Sequence, residues 1–320
     1  MRYEEILTRA LAISWRHKYL WLLALLASEG AAFGVPSMQN SFGGNNAGHG
    51  YGPGAAGITP AQVGAWISAH AALLWTGAAV LAIVVIAFFL ISAIANGAII
   101  RGAAEHDLEQ PFSLSAAWRA GVRTFRPVLV MKLLALGVTL ALVVTIGSLV
   151  LATVGAAMAH QIAAAVTSGV AAGLLLLAAI PFWIVFAVAV LFAQRAIVLE
   201  GMRPLTALRA GFALIRRRLG RVTVVWLLVA VLTVLAGIAA RIALIIAGLP
   251  LAGIVAAAYF TGGLQIAIGI GVVVGAVWLA VALALSGAVS AYASTVWTLA
   301  YRRFDQEAEP APAAMGPAPA

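Results

Sequence analysis

Long apolar runs recur along this chain, and every Lys or Arg but one falls in the segments that join them on a single side. A bilayer core about 30 Å thick is crossed by about 20 apolar helical residues, because backbone polar groups find no partner in lipid unless the helix supplies one. Six stretches are long enough: about Tyr19 to Val35, Ala71 to Ala95, Val128 to Thr153, Gly169 to Ala193, Val222 to Ala247 and Ile266 to Leu299. They predict an all-α, polytopic integral membrane protein with six transmembrane helices arranged as three hairpins. Composition excludes the alternative of a water-soluble domain, since 9% of residues are charged against about a quarter in soluble proteins. The first run is interrupted by Ser28, Glu29 and Gly30, so a re-entrant or surface-lying course remains open for it.

Cationic loops resist translocation, so the Lys and Arg positions set orientation. Arg2, Arg9, Arg16 and Lys18 precede the first run; Arg101, Arg119, Arg123, Arg126 and Lys132 surround the second loop. Seven cations lie between Arg195 and Arg221, and Arg302 and Arg303 follow the last run. The opposite loops, 36–70, 156–168 and 248–265, carry none. Both termini are therefore expected in the cytoplasm, in a bacterial plasma (inner) membrane, with Arg241 at the outer interface where a long side chain can snorkel. The net charge of +9 is accounted for by this topology and by attraction to anionic lipid headgroups, with no need of nucleic acid as a partner.

Three short basic amphipathic segments precede the odd-numbered runs and superpose on an Arg-Ala pair followed seven residues later by Arg: Arg9-Ala10 with Arg16, Arg119-Ala120 with Arg126, and Arg209-Ala210 with Arg216. In the middle copy Leu114, Ala117, Trp118, Gly121, Val122 and Phe125 follow helical spacing and predict one apolar stripe opposite the arginines. The third copy repeats it with Leu205, Leu208, Phe212 and Ile215 behind Pro204; the first uses Leu7, Leu11 and Trp15. Each hairpin is thus expected to follow a cytoplasmic surface helix, the alternative being basic segments that merely anchor loops to headgroups. The whole reads as one transmembrane domain, 1–304, with repeat units 1–101, 111–195 and 204–303. A Gly- and Asn-rich outer loop at 37–59 and a Pro- and Ala-rich cytoplasmic tail at 305–320 are expected to lack fixed structure.

Chemistry-bearing patterns are few. The chain has no Cys, and its histidines, at positions 17, 49, 70, 106 and 160, are scattered, so neither a metal site nor a cofactor is expected. No HExxH, P-loop or GxSxG motif and no paired intramembrane carboxylates occur, which weighs against an enzyme. Glu29 is the candidate intramembrane polar site: near the midplane it would carry protons or pair with a cation, and in a shallow segment it would be wetted. Lys132 is expected to snorkel to the inner surface. Arg119, Arg123, Arg126, Arg209, Arg216, Arg217 and Arg218 are the candidate contacts to lipid phosphate or to an unidentified cytoplasmic or membrane partner, because guanidinium forks match phosphate oxygens. Glu200 is placed to cap the turn at Gly201 or to pair with Arg203 or Arg195.

The run Ile197-Val198-Leu199-Glu200-Gly201, then Pro204 and Ala207-Leu208, then a basic amphipathic helix and a span, resembles the membrane domain of bacterial glycerophosphoryl diester phosphodiesterases and related uncharacterised membrane proteins. The resemblance covers the last two repeat units and implies a multi-span membrane platform. It implies no site residues, because the largest cytoplasmic loop, 96–127, is too short for that family's catalytic domain. The expected function is a non-enzymatic membrane platform that binds lipid or a partner; a transporter or channel-like permease subunit is the alternative, and an intramembrane lipid enzyme a third.

Overall fold

The computed structural model describes residues 3–27 and 60–306, all-α with no strand among them; side chains at 60–63, 305 and 306 are outside that description. Glu29, the loop at 37–59 and the tail beyond 306 lie outside the described residues. The helices, in chain order, are α1 (Tyr3–Arg16), α2 (Tyr19–Ala27), α3 (Pro60–Ala69), α4 (Ala71–Asp107), α5 (Leu114–Arg123), α6 (Phe125–Met158), α7 (Ile162–Glu200), α8 (Pro204–Arg217) and α9 (Leu219–Gln306).

Four of these, α4, α6, α7 and α9, are long and apolar enough to cross a membrane. The 88-residue α9 is two helices joined at Gly263, whose φ of 76° and ψ of −177° are open to glycine and strained for any residue with a Cβ. The chain folds back there. Trp278 Nε1 donates to the Leu244 carbonyl at 3.4 Å, and Gly271 faces Val255, so the two halves run antiparallel about position 263. A similar pairing joins α6 and α7, where Thr153 Oγ1 donates to Ser168 Oγ at 3.1 Å across the turn at 159–161.

Burial is concentrated at one end of the bundle. On α4 the buried residues begin at Ser92 and run to His106; on α7 they are dense from Phe186 to Val198. Ala291, Trp297, Ala300 and Phe304 of α9 join them, with Leu20, Leu23 and Ala24 of α2 and Val128 and Met131 of α6. Beyond this core α4 exposes Val80, Leu81, Ile83, Val84 and Val85, and α6 exposes Val143, Val144 and Leu151. Large aliphatic side chains bare over such lengths suit a hydrocarbon solvent and no aqueous one.

Helices α1, α5 and α8 each pack on the end of a long helix: α5 on α4, α8 on α7 and α1 on the last turns of α9. The packing face coincides in part with the stripe the spacing predicts, at Ala117, Gly121 and Ile215, with Leu7, Trp118, Phe125 and Leu208 partly buried against the core. On α5 it is Ala117 and Gly121, on α8 Ala207, Gly211 and Ile215, and on α1 Ile6, Ala10 and Ile13. Leu11, Trp15, Leu114, Val122, Leu205 and Phe212 are exposed instead. The reason is steric, since a small residue lets the helix backbones touch. A Cβ on Gly211 would stand 2.6 Å from the Ala189 carbonyl oxygen, nearer than real side-chain carbons come. Large apolar residues are pushed to the flanks.

Candidate functional site

The arginine-rich end of the bundle is where the short helices, the buried core and the polar side chains meet. Three features define it: two clefts that gather the candidate arginines, a carboxylate that ties three helices, and a buried polar layer beneath.

The first cleft lies between the end of α4, α5 and α7, with a volume of about 530 Å³, and is lined by Arg101, Arg119, Arg123, Glu105 and Val198. Ser113 builds it by capping α5: its extended backbone and its hydroxyl, which accepts from the Ala116 N–H at 3.3 Å, stop the loop and start the helix. Arg119 and Arg123, four apart on α5, then face the same space. Glu105 is bound by Arg101 at 2.7 Å. Among the described residues no carboxylate lies within ion-pair reach of Arg119 or Arg123, and both are exposed. The arrangement leaves two uncompensated guanidinium groups over a recess, a chemistry suited to phosphate oxygens.

The second cleft, about 480 Å³, is lined by Glu200, Met202, Leu214, Arg217, Arg218 and Tyr301. Gly201 in the left-handed conformation ends α7, its N–H reaching the Ile197 carbonyl, and Pro204 opens α8 three residues on. Glu200 accepts a hydrogen bond from Tyr301 Oη. The sequence offers Arg203 or Arg195 as partners of Glu200, and the tyrosine comes from the end of α9, which packs beside the end of α7. Arg126, Arg209 and Arg216 are exposed and line neither cleft.

Asp107, at the end of α4, accepts from Arg9 Nε of α1 at 2.7 Å and from Arg302 Nη1 of α9 at 2.5 Å. Arg302 also donates to the Ala104 carbonyl, and Arg9 to the Asp107 carbonyl and to Glu109. One carboxylate thus holds the first helix, the fourth and the last together. Its partners hold Arg9 even more firmly in its charged form, chiefly through the Asp107 hydrogen bond.

The polar layer lies just inside. Asn96 Nδ2 donates to Gln194 Oε1 at 3.2 Å. Arg195, fully buried, donates to the Leu191 carbonyl at 2.9 Å and the Ser294 carbonyl at 3.2 Å. Lys132 does not snorkel: its Nζ donates to the Ala27 carbonyl and to Ser92 O, both at 3.1 Å, and to Ser92 Oγ at 2.9 Å. Asn96 and Ser294 belong to no motif that the sequence singles out, whereas Gln194 opens the patch that runs on to Arg218. A signal was present in the matching runs Ala95-Asn96-Gly97-Ala98-Ile99-Ile100 and Ala193-Gln194-Arg195-Ala196-Ile197-Val198, which place one polar residue at the same point of two long helices. No cluster of three or more His, Asp or Glu able to hold a metal occurs among the described residues.

A family model matches residues 7–305, which is nearly the whole chain; its description is "Family of unknown function (DUF7544)". The chain belongs to this family. No curated protein matches, and no solved structure matches. The family match lends no support to the specific resemblance to glycerophosphoryl diester phosphodiesterase membrane domains; it does not contradict an uncharacterised membrane protein, which the four long apolar helices suggest. The DUF7544 match takes in all three short helices and every long one, so the clefts described above fall within it.

Proposed function

We propose that this DUF7544 protein is a non-enzymatic integral plasma-membrane platform whose arginine clefts hold anionic lipid headgroups, or the phosphate-like groups of a partner, at the cytoplasmic face. The observation that carries the reading is the cleft of Arg101, Arg119 and Arg123, where the single carboxylate in the lining is tied to Arg101. Each cation near an anionic surface contributes about 1 kcal/mol. The exposed Leu11, Trp15, Val122, Leu205 and Phe212 beside these arginines would sit at the boundary between headgroups and acyl chains.

A six-span bundle of three hairpins is the architecture that goes with this. The two halves of α9 would supply two crossings and α4, α6 and α7 one each, with the apolar run Tyr19 to Val35, of which α2 is the described part, as the sixth. The packing of each short helix on the end of a long one, with α1 closing the circle on α9, favours three related units.

The test is lipid retention. Native mass spectrometry of the detergent-purified protein is expected to show phosphatidylglycerol carried over in preference to phosphatidylethanolamine, and Arg119→Ala with Arg123→Ala to remove most of that preference. Equal retention by wild type and the double variant would refute the reading. A transporter is the second reading, favoured by the buried layer of Asn96, Gln194 and Arg195; solute flux into proteoliposomes that is lost in Gln194→Leu would bring it forward.

A further inference from the structure

A third cleft, separate from the two above, opens where α1, the end of α4 and the start of α5 meet. Its volume is about 880 Å³, and Arg9, Arg16, His17, His106, Glu109 and Phe112 are among its walls. The imidazoles of His17 and His106 stack face to face, centroids 3.6 Å apart and planes 7° from parallel. His106 is buried and its Nε2 lies 2.6 Å from Tyr19 Oη. Two imidazolium rings at that separation repel, so the stack tolerates added positive charge only when an anion stands beside it.

The surrounding charges show which anion fits. From α1, Arg9 and Arg16 face the cleft; from α4 come Glu105 and Asp107, and from the following turn Glu109. Glu105 belongs to Arg101, and Arg9 and Arg302 are matched by Asp107 and Glu109. Arg16 is left, exposed and with no carboxylate in ion-pair contact among the described residues. The cleft therefore carries one formal positive charge with neutral histidines, and gains another when the pair takes up a proton. Burial and the neighbouring Arg16 both hold the His17 ring toward its neutral form. Ser113 and Ala116, at the start of α5, line the same space. The volume far exceeds that of a bare phosphate ion, and Ile13, Pro111 and Phe112 supply apolar wall.

We propose that this cleft binds the singly charged phosphate group of an organic phosphodiester, with Arg16 as its fixed cation and the His17–His106 stack as a second, proton-dependent one. Binding and protonation are then linked, each favouring the other. The site differs from the Arg101, Arg119 and Arg123 cleft in residues and in pH dependence, and stands whether or not that cleft holds lipid.

The experiment uses the full chain in phosphatidylcholine nanodiscs, with diphenyl phosphate as probe because its charge does not change between about pH 5 and 8. Calorimetric titration is expected to give affinity about fivefold tighter at pH 5.5 than at pH 8. Arg16→Ala should weaken it about tenfold at both pH values, as loss of a charge-assisted contact does. His17→Gln should flatten the pH dependence. Arg241→Ala, at an exposed position that lines none of these clefts, should behave as wild type. Replacing a third of the lipid by phosphatidylglycerol separates two sources of the same chemistry: lost probe binding identifies a lipid headgroup as the occupant, and unchanged binding a soluble diester. Absence of binding, equal affinity in Arg16→Ala and wild type, or a pH dependence that survives in His17→Gln would overturn the proposal.

Discussion

Gly211 of α8 lies against the backbone of Ala189 in α7, with room between them for a hydrogen atom and not for a methyl group: a Cβ would stand 2.6 Å from the Ala189 carbonyl oxygen. Gly211→Ala should therefore prise α8 from its seat and lower stability by about 1–3 kcal/mol, the usual cost of overpacking. Gly137→Ala on α6, with nothing within 4 Å of the new carbon, should be neutral or gain up to about 1 kcal/mol from helix propensity. Melting in detergent, followed by tryptophan fluorescence, compares the two; equal melting temperatures would show that the close approach is immaterial.

Asp107→Asn removes the charge that Arg9 and Arg302 share. A severed ion pair inside a protein costs about 3–5 kcal/mol when fully buried; Arg9 keeps 40% of its side chain in solvent, which screens its share. A loss of about 1–3 kcal/mol is expected, with α1 the first element to detach. Hydrogen exchange should show the amides of residues 3–16 losing protection before those of α7. Uniform loss along the chain would contradict a local tie.

Lys132→Met removes the ammonium that donates to the Ala27 and Ser92 carbonyls and to the Ser92 hydroxyl. Losing hydrogen bonds made by a charged donor costs about 1–3 kcal/mol. Lys132→Arg should not rescue, because the guanidinium cannot occupy the site of a compact ammonium that points at two carbonyls and a hydroxyl. A Lys132→Met protein as stable as wild type would restore the snorkelling assignment.

His17 is held toward its neutral form by burial and then by Arg16. The unfolded chain, with an ordinary histidine near 6.5, binds a proton that the folded chain does not, so stability falls as pH drops below that value and is recovered above it. Chemical denaturation across pH 5 to 8 should give a shallower slope for His17→Gln than for wild type. Identical slopes would mean that the imidazole titrates alike in both states.

What the sequence disclosed was set by scale. Runs of apolar residues as long as Val128 to Thr153 leave little choice but a membrane-crossing helix, and Gly201 followed by Pro204 announces one helix ending and another starting. The face by which α1, α5 and α8 dock is legible only in part: helical spacing picks out Ala117, Gly121 and Ile215, but hydrophobic periodicity ranks Leu205 and Phe212 above Ala207 and Gly211, whereas close packing favours the smaller pair. Arg119 and Arg123 could be singled out by charge and spacing, but their recess is completed by Arg101 on another helix and Val198 on a third, which no local pattern ties to them. The His17–His106 stack is similarly invisible: two scattered histidines among five become neighbours only when the N-terminal turn meets the end of α4.

Asp107 also orders events in time. Its two cationic partners are Arg9, which is made before α4, and Arg302, which is made after it. During synthesis Arg9 can pair with Asp107 as soon as α4 exists, whereas the berth of α1 against α9 is completed only later. A chain halted before residue 302 would hold α1 by that pair and its contacts with α4 alone, with half of the carboxylate's cationic partnership missing.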